Sequence, residues 1–208
     1  MTKIILFFFW QIFYSAAQSD YYNDNILNYD VIIDSNYSLN DALIGIEIPA
    51  SIKKELILVD VEYYSFDNKL HKGQIVINKK VESDVKEIFE FIKSQKFTVA
   101  KVIPIVKYNW SDEASMLDNN TSGFNYRKVK GQKVLSAHSK GLAIDINPMQ
   151  NPHIKRNTIT PANAVYNIKA AGTILKDSPL VKLFRKKNWQ WGGTWKSSKD
   201  YQHFEKKL

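Results

Sequence analysis

The chain of 208 residues contains no cysteine. That absence excludes disulfides, thiolate zinc sites, iron–sulfur clusters and a cysteine nucleophile, and it removes the acceptor for a bacterial lipoprotein anchor. Any metal must be held by His, Asp or Glu. Histidine is scarce too, with only four residues: His71, His138, His153 and His203. Acidic residues are outnumbered: 29 Lys and Arg against 21 Asp and Glu leave a net charge of +8. Such a balance favours polyanionic partners, namely nucleic acid, a membrane surface or an anionic cell wall. There is no internal repeat and no low-complexity tract. Hydrophobic residues make up 44%, enough for a globular core.

Long apolar runs are missing except at the start. Residues 1–17 place Lys3 before an almost wholly apolar stretch, Ile4 to Phe13, and then Ser15-Ala16-Ala17. This is the pattern of a signal peptide cut before Gln18, with a retained N-terminal anchor or a buried first helix as the alternative reading. The run falls short of the ~20 apolar residues that span a bilayer. The expectation is an exported protein, periplasmic or extracellular, with no stable membrane insertion after cleavage. Export argues against nucleic acid and fits the positive charge to an anionic wall polymer. Residues 18–44, rich in Asn, Asp, Ser and Tyr, read as a linker or loose arm, and 45–208 as one domain.

Within that domain, Leu56 to Phe66 and Leu70 to Asn78 flank an Asp67-Asn68 turn and predict a hairpin. Val81, Val85, Ile88, Phe89 and Ile92 have helical spacing, so residues 81–95 predict an amphipathic helix. Val99 to Tyr108 reads as a strand, at an edge or bulged because of Pro104. Residues 109–133 are polar and turn-rich, and Leu142 to Asn147 is a short strand. Ser178-Pro179 is an N-cap followed by proline at the first helical position, with Leu180, Val181 and Phe184 as the buried stripe. Strands and helices in separate runs predict an α+β fold, a small antiparallel sheet with flanking helices.

Two of the histidines stand beside carboxylates. In Ser136-Ala137-His138-Ser139-Lys140-Gly141-Leu142-Ala143-Ile144-Asp145, Gly141 permits a tight turn or a close backbone approach. Strand alternation then sets Asp145 within a core-forming segment, where an unpaired charge costs several kcal/mol. In Asp200-Tyr201-Gln202-His203-Phe204-Glu205, His203 and Glu205 share a strand face, and Asp200 lies over the same site if the chain bends. Two imidazoles and one carboxylate form a catalytic zinc set, and a further carboxylate can move protons. Satisfied structural histidines are the alternative reading. His71 reads as structural or solvent-facing, His153 as a surface turn residue that can border a cleft. Glu205 fits either a hydrogen bond to a ligand or a surface ion pair. Trp189, Trp191 and Trp195 alternate as core residues, with Trp191 the candidate to line a cleft. Lys128, Lys130, Lys133 and Lys140 form a basic stretch nearby.

The motif Ser-x-His-x-x-Gly-x-Ala-x-Asp, then Trp-Gly-Gly, then Asp-x-x-His-Phe, resembles the zinc D-alanyl-D-alanine carboxypeptidase and L-alanyl-D-glutamate endopeptidase family. That fold is shared with lysostaphin-type peptidases and the Hedgehog signalling domain. Residues Ser115 to Arg127 and the hairpin around His71-Lys72-Gly73 resemble its endolysin-like branch, so the likeness extends over about 50–208. The resemblance implies one zinc ion per chain on His138, Asp145 and His203, and Asp200 as the base, where many relatives carry Glu. It also implies Arg127 as the cation facing developing negative charge, and Ser136 and Trp191 as cleft residues. It implies hydrolysis of peptidoglycan stem peptides, at the terminal D-alanine or between L-alanine and D-glutamate. A non-catalytic wall-binding module on the same fold is the other function it allows. Residues 154–170 match no part of the pattern.

Overall fold

A computed structural model describes residues 31–129 and 131–208; the expected signal peptide, residues 1–17, and the first part of the 18–44 arm lie outside the described residues. Strand β1 (Ile32–Ile33) is followed by one turn of helix α1 (Ala50–Lys53). Strands β2 (Leu56–Tyr64) and β3 (Leu70–Asn78) form the expected hairpin, nine residue pairs from Leu56↔Asn78 to Tyr64↔Leu70. Val59, Val61 and Tyr63 alternate inward on β2 and meet Ile75 and Ile77 of β3. Helix α2 (Glu82–Ser94) lays Val85, Ile88, Phe89 and Ile92 on them. Each of these buried side chains contributes about 1.5–3 kcal/mol of transfer free energy.

The described part of the polar arm is not loose. Strand β1 pairs in parallel with β3, and Tyr37 and Gln74 exchange hydrogen bonds between backbone and side chain. Ala42 and Leu43 pack with Leu56, Val76 and Phe124 on the face of the hairpin away from α2. Strand β3 is therefore covered on both faces, so its second half is buried throughout and does not alternate. His71, buried in β3, sets Nδ1 3.0 Å from Asp34 of the arm and Nε2 3.2 Å from Asp67 of the turn. It is structural.

The expected strand 99–108 is cut short. Strand β4 spans only Lys101–Val102 and pairs in parallel with β5 (Asn120–Thr121). Pro104, with no N–H for a ladder, opens a 3-10 turn over Ile105–Tyr108. The 109–133 stretch, read as turns, holds helix α3 (Asp112–Leu117), capped by the Ser111 side chain.

The rest of the chain builds two further small sheets. In one, β6 (Ala143–Asp145) and β9 (Trp189–Trp191) flank β11 (His203–Lys206), both antiparallel. In the other, β7 (His153–Lys155) lies between β8 (Thr158–Thr160) and β10 (Lys199–Asp200). Helix α4 (Pro179–Lys186), capped by Ser178 as expected, adds Leu180, Val181 and Phe184 to the main core. The α+β expectation is met, with several small sheets in place of one and two parallel pairs among antiparallel ones. Asp84, in the first turn of α2, accepts hydrogen bonds from Trp189 Nε1 and Lys206 and so ties the helix to β9 and β11. No helix among the described residues is long and apolar enough to cross a membrane.

Candidate active site

The site forms where β6, β11 and a 3-10 turn meet. Asp145 and His203 are direct cross-strand partners in the β6–β11 ladder, so their side chains rise together from one face. His138 arrives on the turn Ala137–Lys140. Ser136 caps that turn by accepting a hydrogen bond from the His138 backbone N–H. Gly141 ends it in the left-handed region, φ +65°, against the backbone of β3. Asn78 N–H donates to the Gly141 carbonyl at 2.9 Å.

The three side chains are buried and present one ligand atom each within 4.8 Å of one another. His203 Nδ1 lies 2.9 Å from Asp145 Oδ1, and His138 Nε2 lies 3.2 Å from Asp145 Oδ2 and 3.3 Å from His203 Nδ1. The outer nitrogen of each ring faces an acceptor. His138 Nδ1 lies 2.5 Å from the Gly123 carbonyl, and His203 Nε2 lies 3.4 Å from Glu205. With protons on those outer nitrogens, two ring lone pairs and a carboxylate converge on one point. Like-signed lone pairs in a buried place need a cation between them. The donor set therefore fits a borderline-soft divalent ion such as zinc.

The electrostatics agree. Burial raises the Asp145 pKa, yet the two imidazoles outweigh it and hold the carboxyl well below the usual range. Burial lowers that of His203, while hydrogen bonds to Asp145 and Glu205 push it up to about 10. Without metal, a proton on His203 serves as the cation.

Asp200 sits on β10, beside this set but outside it. Its Oδ1 is buried and has no partner among the described residues. Burial, and then the charge of Asp145, raise its pKa above the ordinary carboxylate value. Gly192 explains the Trp-Gly-Gly motif. A Cβ there would stand 2.6 Å from the Asp200 carbonyl oxygen and 2.8 Å from its Cβ, so glycine lets β10 close in.

The Arg127 backbone is joined to the His138 turn, its N–H donating to Ser139 Oγ at 2.8 Å and its carbonyl accepting from Ser136 N–H. Its guanidinium pairs with Asp112 at 3.0 Å, and its buried Nε has no partner among the described residues. Trp191 is not on a cleft wall. It is 2% exposed in the main core, with Nε1 on the Tyr201 carbonyl. Its ring sits inward because Trp191 pairs with the core residue Phe204 across the ladder. Trp195, half-exposed, stands against His203 at 5.3 Å between ring centroids and is the tryptophan next to the site. The Ser136 hydroxyl is spent on its cap and is buried. The sequence gives no sign of the Gly123 carbonyl as a support for His138, because a backbone acceptor carries no residue signature. Glu205 resolves toward the histidine.

Residues 130–206 match the family model of D-alanyl-D-alanine carboxypeptidase. The matched stretch contains His138, Asp145, Asp200 and His203, with Arg127 just ahead of it. The match supports a peptidase. No curated protein and no solved structure matches the chain.

Proposed function

We propose that the chain is an exported zinc metallopeptidase that hydrolyses peptide bonds in the stem peptides of peptidoglycan, as a D-alanyl-D-alanine carboxypeptidase or an L-alanyl-D-glutamate endopeptidase. The observation that carries this reading is the buried convergence of His138 Nε2, Asp145 and His203 Nδ1, each ring oriented by an acceptor on its far side. Bound there, zinc would acidify a water and polarise a carbonyl.

The protein's own groups do the rest. Asp200 Oδ1 takes the proton of the attacking water and passes it to the nitrogen of the breaking bond. Its raised pKa brings it nearer the range where one carboxyl can both accept and donate. Arg127, held by Asp112 and by its backbone beside the His138 turn, is the fixed cation for charge that builds on the carbonyl oxygen. Lys128, Lys133 and Lys140 give that side a positive field suited to carboxylate-bearing peptides and anionic wall polymers.

The test is a digest of defined pentapeptide muropeptides by the zinc-loaded protein, read by mass. Loss of one alanine, or a product cut after L-alanine, each abolished by a chelator, is expected. D200N should lose turnover at unchanged zinc content. Full turnover in chelator, or in D200N, would overturn the reading.

A further inference from the structure

His153 lies outside the quoted motifs, just ahead of residues 154–170 and inside the stretch 130–206 that the family model matches. The ladder between β7 and β10 sets it directly opposite Asp200. Directly opposed residues of an antiparallel pair project to the same side, about 4.5–5.5 Å apart at Cβ. Its Nε2 is buried and, like Asp200 Oδ1, has no partner among the described residues. Two buried polar atoms left open on directly opposed residues mark a place where a ligand completes the bonding.

The strand carrying His153 is firmly fixed. Asn151 donates to the carbonyls of Ile146, Asn147 and Gly172 and accepts from Ile174 N–H. The Pro152 carbonyl accepts from Tyr201 N–H. This turn leaves β6 just after Asp145 and returns β7 to the site, so the ring has a set position and not a free loop's range.

The chemistry of the substrate says what would meet that nitrogen. In either cleavage proposed above, the residue that leaves carries an α-carboxylate one carbon away from the amine that Asp200 protonates. The side chain opposite Asp200 therefore borders that carboxylate. We infer that His153 is a substrate-positioning residue whose Nε2–H binds the α-carboxylate of the departing residue, and that β7 thereby selects substrates with a free carboxylate at that position. This inference rests on the peptidase reading.

The experiment uses the zinc-loaded full chain and pairs of stem peptides that differ only in having a carboxylate or a carboxamide on the departing residue. The wild type should prefer the carboxylate about tenfold or more in kcat/KM, as expected for one charge-assisted hydrogen bond. H153A should erase the preference by raising KM for the carboxylate peptide, with kcat and zinc content little changed and the amide peptide unaffected. H153Q, which keeps an N–H donor, should restore part of it. Calorimetric binding of an uncleaved carboxylate peptide analogue should weaken about tenfold in H153A. Cleavage by the wild type with no carboxylate preference, or with one that survives in H153A, overturns the role of His153 and leaves the peptidase reading standing. Absence of cleavage in the wild type overturns both.

Discussion

Gly141 and Gly131 offer a paired substitution. Both have positive φ, +65° and +77°. Placing alanine in that left-handed region costs about 1–2 kcal/mol at either position. Around Gly131 nothing described lies within 4 Å of an added Cβ, so the cost ends there. At Gly141 the same carbon would stand 2.5 Å from Asn78 N and 2.8 Å from Ile77 C. Both are backbone atoms of β3, fixed by the hairpin, so they cannot step aside as a flexible side chain does. Overpacking of that kind adds about 1–3 kcal/mol. It also strains two hydrogen bonds, Asn78 N–H to the Gly141 carbonyl and Asn78 Nδ2 to the Lys140 carbonyl at 3.1 Å. G141A should therefore lose about 2–5 kcal/mol and G131A about 1–2 kcal/mol. For a chain of this size each kcal/mol is about 2–4 °C of Tm. Thermal melts of both variants without metal give the difference, and zinc titrations give its second consequence. G141A must shift the turn that carries His138, so its zinc affinity should fall while that of G131A stays put. Equal melting losses in the two variants would refute the close approach of the turn to β3. Normal zinc affinity in a destabilised G141A would refute the claim that this approach aims His138.

Other outcomes follow from the same geometry. At pH 7 the metal-free site carries a proton on His203, whose pKa is pushed up to about 10, so zinc binding should release about one proton; calorimetric enthalpies that are identical in buffers of different ionisation enthalpy would contradict this. E205Q keeps the shape of the partner to His203 Nε2 but not its charge, and should weaken zinc binding on the order of tenfold, measured by chelator competition. D84A leaves Lys206 and Trp189 Nε1 unpaired at the end of α2 and should cost about 2 kcal/mol at neutral pH. Burial opposes ionisation of Asp84, but Lys206 and Trp189 outweigh it and depress its pKa, so its contribution is present above the unfolded value near ~4 and fades as pH falls below it. The gap between wild type and D84A in denaturant melts should thus narrow on acidification; a constant gap would argue against the ionic contribution.

The parts of the fold that sequence made legible are those ruled by local periodicity. The β2–β3 hairpin, α2 and the Ser178-Pro179 start of α4 each follow from residues close together in the chain. Helix α3 had a local signal as well, Ser111 followed by Asp112 and Glu113, but the surrounding Asn-rich turns masked it. The resemblance implies His138, Asp145 and His203 as one set, and the structure brings those three side chains together; the residues alone leave structural histidines equally open. The resemblance places Trp191 on the cleft, but its pairing with Phe204 across the ladder turns the ring into the core, as the alternation of the tryptophans suggests. The arm and His153 depend on long-range pairing, β1 with β3 and β7 with β10, which no local pattern specifies. The supports of the site are hardest of all to read, since Gly123 acts through its carbonyl and Gly192 through the side chain it lacks.

The pairing of Asp145 with His203 has a consequence for how the molecule matures. In an antiparallel ladder a slip of one residue turns every side chain of a strand to the opposite face. A chain with β11 displaced by one position would set Gln202 or Phe204 across from Asp145 and could not assemble the three ligand atoms. On the function proposed above, metal capture would be a checksum on strand register: the ion would trap molecules that paired correctly and leave the rest open to re-pairing or to proteolysis.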